Sequence, residues 1–163
     1  MEHTQDLLFF HSSGLACAFR LDLVREVVPM ATLSSPPGMP STLAGFLNLR
    51  GTAIPILRLD RLFHLPEQPC GLHTPLIILR GAEKPFGILA GAVRQIARTA
   101  TASLLPLPEG QVFHDCAAAT VEAGGEIFCL LSPERILLES EQRLVAEFQA
   151  LAQERLLHLE VGT

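Results

Sequence analysis

The sequence predicts a mainly β protein built as two compact barrels, with an α-helix at its C-terminal end. The 12 prolines and 12 glycines are spread along the chain and cut it into apolar runs the length of strands. Four pairs of these runs flank short segments with turn chemistry, which reads as four hairpins. After Ser132-Pro133 the chain carries no glycine or proline until Gly162, a composition that a helix satisfies. Short strands at this spacing favour closed barrels, because closure removes the exposed edges that invite aggregation.

The elements follow in order. Leu7 to Phe10 and Leu15 to Phe19 flank His11-Ser12-Ser13-Gly14, a turn in which Gly14 takes a positive φ without steric cost. Val24 to Val28 is an apolar stretch closed by Pro29, and the proline-rich segment from Ser34 to Pro40 is a stiff, exposed connector. Leu43 to Leu49 and Ala53 to Leu59 form a hairpin with Gly51 in its turn, which places Pro55 on an edge or at a bulge. Leu76 to Leu79 with Phe86 to Ala90, and Ala117 to Val121 with Ile127 to Leu131, complete the set. In the C-terminal helix, from Glu141 to Glu160, Leu144, Phe148, Leu151, Ala152, Leu156 and Leu159 recur every three or four residues. That apolar stripe packs on its own barrel or on a second chain.

Composition bounds the function. The chain has 163 residues, 48% apolar and 18% charged, so it is one domain or two small ones sharing a core. Its formal net charge is −5 and no run of Lys or Arg occurs, which leaves a nucleic-acid backbone without an electrostatic footprint. The longest uninterrupted apolar stretch, Pro85 to Val93, falls well short of the ~20 residues of a spanning helix, so no membrane insertion is expected. Cys17, Cys70, Cys116 and Cys129 read as reduced thiols of a cytoplasmic protein without a secretory signal.

Signatures of catalysis are sparse. The chain lacks a GxGxxG, a phosphate loop and a His-Glu-x-x-His. His114-Asp115-Cys116 comes nearest to a thiol or metal site, but it has no CxxC and no second ligand at metal spacing. His11, His64 and His73 fall in turn or loop contexts where a solvated side chain is expected, and Asp22, Glu26, Asp60 and Glu67 read as surface charges. No catalytic residue, metal or cofactor is expected. The conspicuous segment is Gly45 to Gly51, where Asn48 and Arg50 interrupt an apolar, glycine-bounded stretch. Arg50 there either reaches water at a hairpin end or makes an ion pair or docking contact.

These residues carry a resemblance. Cys17 to Val28, a small apolar strand running into Val24-Arg25-Glu26-Val27-Val28, resembles the first motif of the CheW-like domain family. Leu33 to Pro40 is similar to that family's proline-bearing loop. Leu43 to Leu57 matches its most specific motif, Gly-x-x-Asn-Leu-Arg-Gly followed by Ile-Pro, and Arg61-Leu62-Phe63 and Gly87 to Val93 resemble later segments. The likeness covers residues 7–138, with a C-terminal amphipathic helix over residues 139–160. Arg58 stands where the family usually has Asp, Gly91 replaces a second Asp and Ser132 a third, so the acidic set is depleted. That bears on partner preference more than on fold.

The resemblance implies two SH3-like five-stranded β-barrels sharing a hydrophobic junction. It implies a non-enzymatic adaptor that couples the cytoplasmic tip of a chemoreceptor, a methyl-accepting protein, to the regulatory domain of a chemotaxis-type histidine kinase. Position by position it marks Val24, Glu26, Gly45, Asn48, Arg50, Gly51 and Gly87 as partner-binding or as shaping the binding face. Asn48 and Gly51 are expected to form the turn, and Gly45 and Gly87 to serve backbone geometry. Glu26 is expected to pair with Arg50, adding ~0–1 kcal/mol as an exposed ion pair and acting mainly through orientation. Two other readings stand beside it. One is a small enzyme with Cys116 and His114 as a thiol centre, which requires a thiolate of lowered pKa. The other is a stand-alone small-barrel module for proline-rich peptides, whose groove needs aromatic walls, and this chain has no Trp or Tyr.

Overall fold

The computed structural model describes residues 4–35, 37–67, 71–81, 84–100, 104–105 and 116–141. Its strands are β1 (Thr4–Ser12), β2 (Leu15–Arg20), β3 (Val24–Pro29), β4 (Leu43–Leu49), β5 (Thr52–Leu57), β6 (Pro75–Leu79), β7 (Phe86–Leu89), β8 (Ala92–Ala100), β9 (Leu104–Leu105), β10 (Ala117–Ala123) and β11 (Glu126–Leu131). A four-residue helix, α1 (Leu59–Leu62), follows β5, and a C-terminal helix, α2, is described over 133–141. The apolar stripe from Leu144 to Leu159, Cys70 and His114 lie outside the described residues.

All four expected hairpins pair antiparallel: β1 with β2, β4 with β5, β6 with β7 and β10 with β11. Three close through two residues that both have positive φ: Ser13-Gly14 (51° and 80°), Arg50-Gly51 (50° and 85°) and Gly124-Gly125 (58° and 80°). This double left-handed turn matches the right-handed twist of the strands it joins. The first turn is tighter than the sequence suggests, because β1 continues through Ser12. His11 is therefore a strand residue, and instead of being solvated its Nε2 lies 2.8 Å from Glu126 Oε1.

The strands form two sheets that are interleaved along the chain. One has the order β8-β1-β2-β11-β10-β9, and the other β3-β6-β7-β5-β4. The first barrel thus takes both ends of the described chain, with β11 running parallel to β2, while the second is built from the continuous stretch between β3 and β7. Pro55 lies in an inner strand. Pairing of β5 with β7 begins only at Ile56, however, so at Pro55 the strand has β4 as its sole ladder neighbour, where a missing N–H is tolerated. The proline-bearing connector is pinned to β4 by a two-way backbone bond between Ser34 and Phe46 (2.9 and 2.8 Å).

Alternation along the strands sorts side chains into three apolar clusters. Leu7, Phe9, Ala18, Val121, Phe128 and Leu130 fill the first barrel. Leu47, Ile54, Ile56, Leu76, Ile78 and Leu89 fill the second. Their neighbours in sequence point the other way, and Leu8, Phe10, Phe19, Leu57, Ile77, Leu79 and Ile88 meet in a shared junction. Ile136 of α2 is buried in that junction too. Ser132 stands at the start of α2, where its carbonyl accepts from Ile136 N at 3.0 Å and Pro133 takes the first helical position.

Candidate functional site

The β4–β5 turn sets the geometry of the site. Arg50 holds a backbone conformation uncommon for a residue with a side chain, and Gly51 beside it relieves the second left-handed position. Asn48 Oδ1 accepts a hydrogen bond from Gly51 N at 3.0 Å, which fixes the turn from the end of β4. The turn is what aims Arg50.

Its target is on β3. The register of β3 against β6 slips between Val24 and Glu26, so an irregularity separates two residues that would otherwise share a face. Val24 turns into the junction, at 8% exposure, while Glu26 faces the turn. Arg50 Nη1 donates to Glu26 Oε1 at 3.1 Å and Nη2 to Oε2 at 3.2 Å, a fork-to-fork pair across 24 positions of sequence. Because β3 and β4 are the two edges of the second sheet, this pair spans the seam between them. The guanidinium side chain is 69% exposed and the carboxylate side chain 26%, so the pair is a surface feature with an open cationic side.

The structure brings Glu26, Asn48, Arg50 and Gly51 together, and it places Val24, Gly45 and Gly87 inside the fold. At Gly45, with φ 150°, an added Cβ would stand 2.8 Å from Leu33 Cβ and 2.9 Å from the Ser34 carbonyl, which is where the proline-bearing connector crosses β4. At Gly87 it would stand 2.5 Å from Ile56 Cδ1 and 3.0 Å from Ile78 Cδ1, inside the second barrel. These glycines permit close approach of backbone and core.

One expectation is corrected. Asp60 is a buried residue at 3% exposure, not a surface charge, because it sits in the first turn of α1 and takes two bonds from Arg58, one at 3.0 Å from Nε and one at 2.6 Å from Nη2. Its Oδ1 also accepts from Arg61 N at 2.9 Å. The arginine at position 58 is thus matched by a carboxylate two residues on. Sequence reasoning weighed Arg58 and Asp60 separately; their i, i+2 spacing at the strand end was the available signal. Glu67 is a surface residue, paired with Arg61 at 3.2 Å.

The three described thiols are poorly placed for catalysis. Cys17 and Cys116 are buried and Cys129 partly so. Burial pushes the Cys17 thiol far above its ordinary value, with the neighbouring Cys129 adding to the effect, and burial raises Cys129 as well. That is the opposite of what a nucleophilic thiolate needs. Among the described residues no helix is long and apolar enough to cross a membrane.

Comparison with known proteins agrees with this architecture. The chain is 26% identical over 140 residues to a probable chemotaxis protein CheW of Rhizobium etli, covering 84% of this chain and 90% of that protein. Its fold superposes on the crystal structure of the scaffolding protein TtCheW from Thermoanaerobacter tengcongensis with a TM-score of 0.76 and 18% identity, over 82% of this chain and 92% of the other. The CheW-like domain matches residues 6–141, a span that holds both barrels, the junction and the Glu26–Arg50 seam; this chain belongs to the CheW-like domain family.

Proposed function

We propose that this protein is a non-enzymatic chemotaxis adaptor of the cytoplasm, coupling the tip of a chemoreceptor to the regulatory domain of a histidine kinase. The observation that carries the reading is the Glu26–Arg50 fork, held by the Asn48–Gly51 turn on an exposed edge of a CheW-like domain. An exposed pair of this kind adds little stability, so its use lies in presenting a fixed cationic group to a partner. Burial of Cys116, the thiol that the enzyme reading needs, favours an adaptor over a thiol enzyme. The names carried by the relatives, a chemotaxis protein and a scaffolding protein, point the same way.

Calorimetry of the full chain against the kinase regulatory domain and against a receptor-tip fragment tests the proposal. The wild-type protein should bind at least one of them, and Arg50→Glu should weaken that binding about tenfold or more while keeping its melting temperature within a few degrees. Absence of binding to both partners by a folded wild-type protein would sink the adaptor reading. Unchanged binding by Arg50→Glu would remove Arg50 from the contact face.

A further inference from the structure

The first barrel is joined by a short ladder that carries a thiol on each strand. β2 and β11 run parallel and register at two positions, Cys17 with Cys129 and Ala18 with Leu130. Residues in register on paired strands point to the same side, and the apolar clusters fix which side it is. Cys17 is buried in the junction core with Phe19 and Leu131, and Cys129 packs against that core, while Ala18 and Leu130 fill the barrel on the opposite face. Paired strands lie about 4.7–4.9 Å apart, within the ~4.4–6.8 Å between Cα atoms that a disulfide spans. The two thiols also sense each other, since ionising Cys129 makes Cys17 harder to ionise. Cys116 stands apart from the pair: its carbonyl accepts from Ser132 N at 2.7 Å, past the end of β11.

We propose that Cys17 and Cys129 form a redox-modifiable pair, which a peroxide converts to an intramolecular disulfide that clamps the β2–β11 ladder. Cys17 is fully buried and Cys129 partly exposed, so the oxidant meets Cys129 first. The Cys129 sulfur attacks the peroxide O–O bond; an S–O bond forms, the O–O bond breaks, and the thiol proton leaves with the departing oxygen as water. Cys17 then attacks the resulting sulfenic sulfur; the S–S bond forms, the S–O bond breaks, and the Cys17 proton leaves with the hydroxide as a second water. The two sulfurs together lose two electrons and the peroxide is reduced to two waters. Burial that holds both thiols protonated makes this reaction slow and dependent on pH, which separates it from thiol catalysis; the pairing marks the site. The consequence is mechanical. The bond closes a loop that contains the whole second barrel, from β3 to β7, and a crosslink across so long a loop strongly constrains the unfolded chain. The inference stands independently of the adaptor reading.

The test treats the reduced full-length protein with millimolar hydrogen peroxide, then alkylates it, measures its intact mass and maps its peptides. The product should be a monomer lighter by two hydrogens, with the peptides that carry Cys17 and Cys129 linked, and dithiothreitol should reverse it. It should form about tenfold faster at pH 8 than at pH 7, because both thiols titrate above that range. It should melt about 5–10 °C higher than the reduced chain. Cys129→Ser, a change at the partly exposed position, should fold, form no link and show no such rise, while Cys70→Ser should keep both. Sulfinic or sulfonic acid at Cys129 without a link, a link from either cysteine to Cys70, to Cys116 or to a second chain, or retention of all four thiols would each overturn the inference. A Cys17–Cys129 link that leaves the melting temperature unchanged would overturn the clamp.

Discussion

The two barrels share a core but are built differently. The second barrel comes from one continuous stretch of chain, and within it ion pairs tie element to element: Glu26 to Arg50 across the seam, Arg58 to Asp60 at the start of α1, and Arg61 to Glu67 beyond it. The first barrel is assembled from both ends of the described chain. Its corresponding side-chain tie is His11 with Glu126, whose neighbour Phe128 packs edge-on to Phe9 with ring centroids 4.6 Å apart. Where strands are neighbours in sequence, polar contacts hold loops in place; where they are distant, burial of aromatic and aliphatic side chains carries the assembly. The family motif accordingly falls in the second barrel, where turn, strand and charge are set by nearby residues.

The largest effect that would sharpen this contrast is expected at the buried pair. Asp60→Ala removes the carboxylate that pairs with Arg58, whose side chain is only 11% exposed, and should lower the unfolding free energy by about 3–5 kcal/mol, read from the urea midpoint. A loss below about 1 kcal/mol would mean that Arg58 swings out to water. Gly45→Ala comes next, at about 1–3 kcal/mol, because the new Cβ meets the Ser34 carbonyl and the connector must shift. Partner binding should fall with it even though Gly45 is buried, and a variant that keeps full stability while losing binding would assign Gly45 to the contact face.

The third effect depends on pH and belongs to the junction. Cys17 keeps its proton in the folded protein, while the unfolded thiol loses it above about pH 9. The unfolded state then binds fewer protons, so this contribution is fully present below pH 9 and is lost as pH rises. At pH 10 wild type should have lost about 1 kcal/mol more than Cys17→Ala, each relative to its own value at pH 7. Parallel profiles for the two proteins would show that the Cys17 thiol is solvated. The smallest effect is at the seam: a double-mutant cycle on Glu26 and Arg50 should give a coupling of about 0–1 kcal/mol that shrinks in 1 M salt. A coupling above 2 kcal/mol would turn the seam pair from a presenting device into a structural clamp.

Much of this was legible in the chain. Glycine and proline punctuation marks all four hairpins, and the Asn48 to Gly51 sequence marks its turn, because such turns depend on residues within two or three positions. The Glu26–Arg50 pair was reached through the family resemblance, since nothing in the local chemistry of either segment points to the other across 24 positions. His11, read as a turn residue, became part of a strand because β8 and β2 flank β1 and extend it. Asp60, read as surface charge, became buried because α1 folds back onto the junction through Leu59 and Leu62. The irregularity between Val24 and Glu26 has no signature in that stretch, yet it decides that Glu26 faces Arg50 while Val24 turns into the junction.

The sequence by itself determined which stretches pair as the four hairpins, the start of the C-terminal helix and the alternation that makes each barrel strand two-faced. Those properties follow from backbone sterics and from which neighbouring side chains are apolar. Tertiary structure alone decided that β11 lies beside β2, that the first barrel encloses the chain before and after the second, and that Cys17 and Cys129 sit in register across that ladder. Those outcomes rest on pairing free edges and burying second faces between segments far apart in the chain, a balance that no local stretch of residues contains.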